Sequence, residues 1–319
     1  MRIISDDEVR SKIAIPDLID SIELAMSEYS KGNAKNLLRN KLESKHGTYR
    51  VMSALIEKMG VVGTKQGFWV SEFIGERSGP SSSEIISLYE VDSGRLTGLI
   101  NSHYLNRLRT GAVGAISIKY LSNPSSAHLG LLGSGLHART QALSCCAVRD
   151  IELVKVYSRN MERRDSFCKS MSQELGPRTN VLAVSSLEEA LRESDVIIEA
   201  TTATSPVVLG KELNRGVHVT SISGGPNRSR QIDDEAISMA DLFVVDSKEQ
   251  LIADMSGDVV EPIERGLLNP NSIVEIADIV SKKVEGRKSK EDVTLFKTTG
   301  MALFDIAAAK CVYDRIVAK

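Results

Sequence analysis

The feature that most constrains this chain is a glycine-rich turn between two short apolar runs. The first run, residues 127–132, ends in Gly133-Ser134-Gly135-Leu136-His137-Ala138, a Gly-x-Gly-x-x-Ala pattern. In such a turn the first glycine permits a sharp bend, the second lets a pyrophosphate approach the backbone, and the small third residue permits close helix–strand packing. A second apolar run, residues 151–157, follows one helix length later. This spacing predicts a strand–helix–strand unit that binds a dinucleotide, with an ordinary glycine turn as the alternative.

The residues after the second run bear on which dinucleotide binds. A protein that binds NAD usually places Asp or Glu there, to accept hydrogen bonds from the ribose 2′-hydroxyl. This chain has Ser158-Arg159-Asn160, with Arg163 and Arg164 one helical turn on. Because a guanidinium pairs with phosphate in bidentate geometry, we predict NADP(H) as the preferred cofactor and NAD(H) as the alternative. A solvated basic helix start would give the same pattern.

Size and composition exclude several classes of protein. A chain of 319 residues is long enough for two domains, and a net charge of −2 argues against nucleic acid or an anionic membrane as partner. The longest apolar runs are strand-sized, and the N-terminus reaches acidic residues at once, so neither a transmembrane helix nor a signal peptide is expected. The cysteines, Cys145, Cys146, Cys168 and Cys311, lack the spacing of a metal or redox motif. We therefore expect a cytoplasmic protein with reduced thiols and no metal.

The pattern of helix-like and strand-like runs divides the chain into three regions. Up to residue 121, a helix from Pro16 to Tyr29 precedes strand-like runs that favour a largely antiparallel or mixed sheet, and a second helix leads out. From 122 to 293, strands alternate with helices, which predicts a parallel, doubly wound sheet of Rossmann type. From 294 to 319, a long apolar helix is expected to return to the first domain. The predicted fold is α/β, with a discontinuous α+β domain (1–121 and 294–319) and a dinucleotide-binding domain (122–293).

Several short motifs together resemble the ornithine cyclodeaminase/mu-crystallin family. They are residues 49–54 (Tyr-Arg-Val-Met-Ser-Ala), 63–65 (Gly-Thr-Lys), 108–112 (Leu-Arg-Thr-Gly-Ala), the glycine turn, and 296–302 (Phe-Lys-Thr-Thr-Gly-Met-Ala). The resemblance extends over nearly the whole chain. It implies a dimer built through the discontinuous domain, which binds substrate, with a nicotinamide cofactor at the junction with the Rossmann domain.

The resemblance also implies a set of site residues. Lys65 would be the catalytic lysine, and Arg39, Arg50 and Arg109 would bind substrate. A bidentate guanidinium fixes the carboxylate of an amino or imino acid, and a lysine exchanges a proton, especially where burial and neighbouring cations favour its neutral amine. A functionless lysine would be costly in the apolar strand around Lys65. The expected cofactor contacts are Thr110, Gly133, Ser134, Gly135, Leu136, His137, Ser158, Arg159, Asn160, Arg163, Thr201, Thr202, Ser223 and Thr298.

One departure from the family pattern separates two chemistries. Ornithine cyclodeaminases carry an aspartate in a Gly-x-Asp-x-Pro-Gly-Lys turn, and here Gly225 stands at the aspartate position and Ser229 at the lysine position. Glycine cannot hold and activate a substrate amine. Asp233 or Asp234 could substitute, although helix capping explains both.

The resemblance and this departure together favour a reductase. We expect an NAD(P)H-dependent oxidoreductase that reduces the C=N bond of an imino acid, as ketimine reductases do. The alternatives are an amino-acid dehydrogenase or reductive-condensation enzyme, then an ornithine cyclodeaminase, then a non-catalytic NADP(H)-dependent small-molecule binding protein. Turnover of the cofactor with a panel of substrates would discriminate among them.

Overall fold

A computed structural model describes residues 1–70, 82–222 and 228–317. The chain forms two compact units: unit 1 comprises Met1–Arg109 and Gly300–Lys319, and unit 2 comprises Thr110–Thr299. The strands, in chain order, are β1 (Arg2–Ile4), β2 (Ala34–Asn36), β3 (Asn40–Ser44), β4 (Gly47–Ile56), β5 (Val61–Val70), β6 (Ser82–Glu90), β7 (Leu96–Asn101), β8 (His128–Leu132), β9 (Leu153–Tyr157), β10 (Asn180–Ala183), β11 (Val196–Glu199), β12 (His218–Ser221), β13 (Leu242–Val245), β14 (Val274–Glu275) and β15 (Thr294–Lys297).

The helices follow the same numbering. They are α1 (Asp6–Lys12), α2 (Ile15–Ser30), α3 (His103–Leu121), α4 (Leu136–Cys146), α5 (Met161–Leu175), α6 (Leu187–Leu191), α7 (Asp234–Met239), α8 (Lys248–Ala253), α9 (Gly257–Glu264), α10 (Ile276–Val280) and α11 (Ala302–Val317), with 3-10 turns at Glu57–Met59 and Gly210–Glu212. Within the described ranges, none of these helices is both long enough and apolar enough to cross a membrane.

Unit 1 is built on a mixed sheet. The strand order is β1-β7-β6-β5-β4-β2, with β3 also paired to β4; β1 runs parallel to β7 and the other pairs are antiparallel. Because side chains alternate along a strand, each strand gives one set to each face of the sheet. One face carries buried residues such as Ala54, Ile56 and Leu88, and α2 and α11 pack in the same core through Ile22 and Ile306.

Unit 2 is the predicted doubly wound parallel sheet. Its strand order is β10-β9-β8-β11-β12-β15-β13-β14, and every recorded pair is parallel. The crossover helices and the buried apolar strands place its core on both faces of the sheet. The fold class predicted from the sequence is confirmed.

The two units divide at different residues from those expected. Unit 1 ends at Arg109, inside α3, whereas the sequence placed that boundary at residue 121. Strand β15, which was expected to belong with the C-terminal helix, lies between β12 and β13 in the sheet of unit 2. Its buried run Thr294-Leu295-Phe296-Lys297 therefore belongs to unit 2, and the chain re-enters unit 1 at Gly300. A four-residue strand next to a long helix carries no local sign of which sheet it joins.

Candidate active site

In unit 1, the strand register brings the candidate cations to one face of the sheet. Lys65 pairs with Met52 on β4 and Ile86 on β6, and Gly67 pairs with Arg50 and Glu84. Lys65 and Gly67 are two residues apart, so their partners share a face. Arg50, Lys65 and Glu84 therefore lie side by side on three adjacent strands.

Lys65 is almost fully buried, with 3% of its side chain exposed. Its Nζ lies 2.8 Å from Asn106 Oδ1, 3.1 Å from Asp305 Oδ1 and 3.1 Å from Glu84 Oε2. The groups that contact Nζ are two carboxylates and an amide. The two carboxylates compensate the charge of the ammonium, which burial has removed from water.

Arg109 shares two of these partners. Its Nε lies 3.0 Å from Asp305 Oδ1, and its Nη2 donates a 2.6 Å hydrogen bond to Asn106 Oδ1. Gly300 makes room for it: a Cβ at this glycine, where φ is +87°, would stand 3.0 Å from Arg109 Nη1. Asp305 and Asn106 thus hold Lys65 and Arg109 together.

The other two predicted substrate arginines lie nearby in unit 1. Arg39 donates from Nη2 to Gly300 O at 3.0 Å and lies 3.5 Å from Met52 Sδ through Nε. The Arg50 guanidinium lies 4.9 Å from the centroid of the Trp69 ring, a cation–π distance. Lys65 and Arg109 contact the carboxylates of Glu84 and Asp305, and Arg39 and Arg50 add two further cations close by, a grouping that suits an anionic ligand.

Sequence reasoning did not identify Glu84, Asn106 or Asp305 as members of this cluster. Two of them carried a usable signal. Glu84 has the same parity as Ile86 and Leu88, the apolar positions of its strand, and Asp305 interrupts the apolar run of α11. A carboxylate at a buried position needs a cationic partner, and the argument that singled out Lys65 applies equally to them.

In unit 2, the glycine turn has the geometry that a dinucleotide site needs. Gly133 has φ +115°, and a Cβ there would stand 2.4 Å from Ala200 O. Gly135 directly precedes α4, and a Cβ there would meet nothing within 4 Å. Ala138 is fully buried against the sheet. Gly133 is therefore required by the fold, whereas the space at Gly135 leaves the backbone open to a ligand.

The predicted cofactor residues after β9 have different roles. Ser134 Oγ donates a 3.0 Å hydrogen bond to Ser158 Oγ, which joins the turn to this strand end. Arg159 and Arg163 are exposed, and Asn160 Oδ1 caps α5 by accepting from Arg163 N at 2.8 Å. Arg164 instead points inward and donates to Val184 O at 2.7 Å, so it is structural.

A buried polar network lies at the carboxyl ends of β11, β12 and β15, the edge at which ligands of such sheets bind. Glu199 accepts from Thr201 N at 2.8 Å, from Thr201 Oγ1 at 2.7 Å and from Ser221 Oγ at 2.8 Å. Lys297 Nζ donates to Ser221 Oγ at 3.0 Å and pairs with Asp258 Oδ2 at 2.8 Å. The network fixes the backbone where Thr201 leaves the sheet.

The remaining predicted cofactor residues occupy varied positions. Thr202 and Leu136 are exposed, His137 is half-buried, and Thr298 donates from Oγ1 to Asp246. Thr110 accepts at its carbonyl from Gln141 Nε2 at 2.8 Å. Ser223 and Gly225 lie outside the described residues. Asp233 caps α7 by accepting from Ala236 N, as the capping argument predicted, whereas Asp234 forms ion pairs with Arg230 and Arg265 instead of a cap.

Comparison with known proteins identifies the family. A model of the ornithine cyclodeaminase/mu-crystallin family matches residues 2–319. Delta(1)-pyrroline-2-carboxylate reductase of Bacillus cereus is 32% identical over 320 residues, covering 99% of this chain and 96% of the relative. The structure of Thermococcus litoralis Delta(1)-pyrroline-2-carboxylate reductase in complex with NADH and L-proline has a TM-score of 0.92 at 32% identity, covering 100% of this chain and 98% of that chain. An archaeal alanine dehydrogenase dimer with bound NAD has a TM-score of 0.90 at 28% identity, covering 99% and 96%. The chain belongs to the ornithine cyclodeaminase/mu-crystallin family, as the motifs in its sequence indicated.

Proposed function

We propose that this protein is an NAD(P)H-dependent reductase of cyclic imino acids that carry an α-carboxylate, such as Delta(1)-pyrroline-2-carboxylate. The observation that carries the proposal is the buried Lys65, held within 3.1 Å of two carboxylates and next to Arg109 through shared partners. An ammonium is the proton-bearing form that a general acid needs, and guanidinium groups are suited to a carboxylate. Relatives that act on this class of compound, or hold its product L-proline, support the assignment.

The reaction requires one hydride and one proton. The C=N bond takes a hydride at carbon and a proton at nitrogen, and becomes a secondary amine. A reduced nicotinamide supplies the hydride. Lys65 Nζ would give its proton to the imine nitrogen, while Arg109 and Arg50, with Arg39, would hold the carboxylate and so orient the ring.

The residues of unit 2 fit a dinucleotide. The open space at Gly135, at the start of α4, is the position where a pyrophosphate approaches backbone N–H groups in such folds. Ser134, Ser158 and Arg159 would lie along the adenosine ribose, and Thr201 and Thr298 at the strand ends would lie on the nicotinamide side. We propose that NADPH binds more tightly than NADH. After β9, where NAD-binding proteins usually place a carboxylate, this chain has the exposed cation Arg159.

Two further parts of the proposal concern the assembly and the compartment. The face of the unit 1 sheet opposite Lys65 carries Val62, Phe68, Ile85 and Tyr89, each 36–41% exposed. Apolar groups on one sheet face favour burial against a second copy, so we propose a homodimer through this face.

The four cysteines lie in the described ranges and form no disulfide, which suits the reducing cytoplasm.

An amino-acid dehydrogenase is the second candidate, because it would use the same hydride and the same cations. Ornithine cyclodeamination is disfavoured by Gly225, which offers no carboxylate for the substrate amine. Cofactor turnover separates these activities and also separates them from a non-catalytic binding protein.

The test is oxidation of NADPH and NADH by the purified protein with Delta(1)-pyrroline-2-carboxylate, its six-membered homologue, or pyruvate plus ammonia, and proline formation from ornithine. We expect turnover with the cyclic imino acids and none with ornithine.

Lys65→Met should lower kcat by about a hundred-fold, the usual scale for a positioned proton donor, with cofactor affinity unchanged. Arg109→Leu should raise KM by about ten- to a hundred-fold, since a charge-assisted hydrogen bond is lost. Efficient conversion of ornithine to proline, or no turnover of any imine, would overturn the proposal.

A further inference from the structure

Three hydroxyl groups lie at the edge of unit 2 where ligands of such sheets bind, and each gives its proton to a buried carboxylate. Thr201 Oγ1 and Ser221 Oγ donate to Glu199, at 2.7 Å and 2.8 Å. Thr298 Oγ1 donates to Asp246. Both carboxylates are fully buried. Because a hydroxyl has one proton and two acceptor sites, each of these groups accepts in any further hydrogen bond that it makes.

Other bonds to two of these hydroxyls have this direction. Thr201 Oγ1 accepts from Ala203 N at 3.1 Å, and Ser221 Oγ accepts from Lys297 Nζ at 3.0 Å. A backbone N–H and an ammonium can only donate. The carboxylates thus set the polarity of these hydroxyls, which face their other partners as acceptors.

Asp246 is held in the form that accepts. Its Oδ1 receives the N–H of Ser247 at 2.9 Å, and its Oδ2 receives the N–H of Thr299 at 3.2 Å as well as the hydroxyl of Thr298. Backbone N–H groups on both oxygens suit an ionised carboxylate, which has no proton of its own to give. The hydroxyl of Thr298 is therefore the donor of this pair.

Thr298 lies on the half of the sheet that suits a nicotinamide. The strand order β10-β9-β8-β11-β12-β15 matches the order 3-2-1-4-5-6 of dinucleotide-binding sheets, which bind their ligand across the reversal between the first and fourth strands. The proposed pyrophosphate and adenosine contacts lie after β8 and β9, so the nicotinamide half falls to the strands beyond the reversal. Thr298 directly follows β15, and its N–H donates to Ser221 O, at the end of β12, at 3.0 Å.

From this geometry we infer that Asp246 is a positioning residue, which makes the Thr298 hydroxyl an acceptor for an N–H of the nicotinamide carboxamide. The carboxamide is then held with its N–H toward Thr298 and its carbonyl away, which limits rotation of the ring. The inference rests on the nicotinamide cofactor of the proposed function and deepens it, because it names the group of the cofactor that the protein recognises. Asp246 itself does not touch the cofactor.

The test uses three dinucleotides that differ only in the ring substituent: the carboxamide of NAD, the acetyl group of its 3-acetylpyridine analogue, and the carboxylate of its nicotinic acid analogue. All three carry the 2′-phosphate if the wild type prefers it, and Kd is measured by calorimetry without substrate. The wild type should bind the carboxamide about two- to twelve-fold more tightly than the acetyl group, the range for one neutral hydrogen bond. The carboxylate, which has no N–H, should bind least well.

Thr298→Val removes the acceptor but keeps the shape of the side chain. It should weaken binding of the carboxamide by the same two- to twelve-fold factor, roughly the value of that hydrogen bond, and leave the acetyl and carboxylate dinucleotides unweakened. Thr298→Ser should keep the wild-type preference. If Thr298→Val instead weakens the acetyl or carboxylate dinucleotide, the hydroxyl donates to the ligand, and the inference is overturned.

Asp246→Asn tests the carboxylate directly. Its amide can give Thr298 an N–H, which releases the hydroxyl proton toward a ligand carbonyl, so the preference for the carboxamide over the acetyl group should narrow or reverse. A general loss of structure would instead weaken all three dinucleotides alike. Asp254→Asn is the matched control, because Asp254 accepts from Thr299 Oγ1 at 3.5 Å, and it should keep the preference. An unchanged preference in folded Asp246→Asn protein would contradict the role of Asp246.

Two further outcomes are informative. If Asp246→Asn does not fold, as judged by circular dichroism, the acetyl and carboxylate dinucleotides still decide the polarity of Thr298 in the wild type and in Thr298→Val. A wild type that binds none of the dinucleotides overturns the proposed function and this inference with it. Tight binding of all three with equal Kd overturns the inference alone.

Discussion

The two glycines of the turn in unit 2 should respond in opposite ways to the same substitution. Gly135→Ala adds a methyl group where nothing lies within 4 Å, at φ −92° and ψ −176°, which alanine adopts freely. Gly133→Ala adds it 2.4 Å from Ala200 O at φ +115°. The first change should affect ligand binding, and the second should affect folding.

The magnitudes follow from these positions. For Gly135→Ala, the free energy of unfolding should be unchanged or raised by about 0.4–1 kcal/mol, because the unfolded chain loses freedom. The methyl would block one charge-assisted hydrogen bond to the pyrophosphate, worth about 1.5–3 kcal/mol, so Kd for NADH should rise about 10- to 150-fold. For Gly133→Ala, the backbone alone should cost about 1–3 kcal/mol, and the overlap adds to it.

Urea unfolding followed by circular dichroism, and titration of NADH and NADPH by fluorescence, measure the two effects separately. Wild-type affinity for both dinucleotides in a folded Gly135→Ala protein would show that this turn does not hold the pyrophosphate. Wild-type stability in Gly133→Ala would refute the packing argument for the first glycine.

Three other predictions concern single side chains of unit 2. Arg159→Asp should narrow or reverse the preference for NADPH over NADH, measured as the ratio of the two Kd values. An unchanged ratio would show that the charge of Arg159 does not set this preference. Lys297→Met leaves Asp258 buried without its cation, so urea unfolding should show a loss of about 3–5 kcal/mol; a loss below about 1 kcal/mol would mean that the pair contributes little. Burial lowers the pKa of His218 well below its usual value. Because the unfolded chain then binds the extra proton, stability should fall as pH drops below about 6.5, with a slope that rises toward about 1.4 kcal/mol per pH unit. His218→Gln should remove that part of the slope between pH 6.5 and 5.5, and an identical slope in the variant would count against it.

Local patterns in the sequence predicted much of the fold. The glycine turn, the alternation of strands with helices after residue 122 and the runs near Lys65 each depend on neighbours a few residues apart, and the structure places elements at all of them. The position of β15 between β12 and β13 could not be predicted from such local patterns. Pairing between strands distant in sequence depends on the whole sheet, and a four-residue strand of buried residues fits several places in it.

The candidate site divides in a similar way. Lys65 stood out because a lysine in an apolar strand is costly, but the groups that compensate it come from β6, α3 and α11. The sequence separation between Lys65 and Asp305 is 240 residues, so no local pattern connects them. Two adjacent arginines show the same limit of local patterns. Arg163 is exposed and Arg164 is buried, and only the helix face on which each lies decides which of the two points to solvent.

The path of the chain through the two units has a consequence for synthesis on the ribosome. The apolar face of the first sheet packs with α11, which contacts α2, β4 and β5 and accepts a hydrogen bond from Ser21 at Ala307 O. That helix follows the whole of unit 2 along the chain, and β15, in the middle of the second sheet, precedes it by only a few residues. At about 5–20 residues per second, the first 109 residues would wait on the order of 10–40 s for their cover. Until β15 and α11 have emerged, unit 2 lacks an inner strand and unit 1 lacks a packing helix, so the nascent chain exposes apolar surface that the folded units bury.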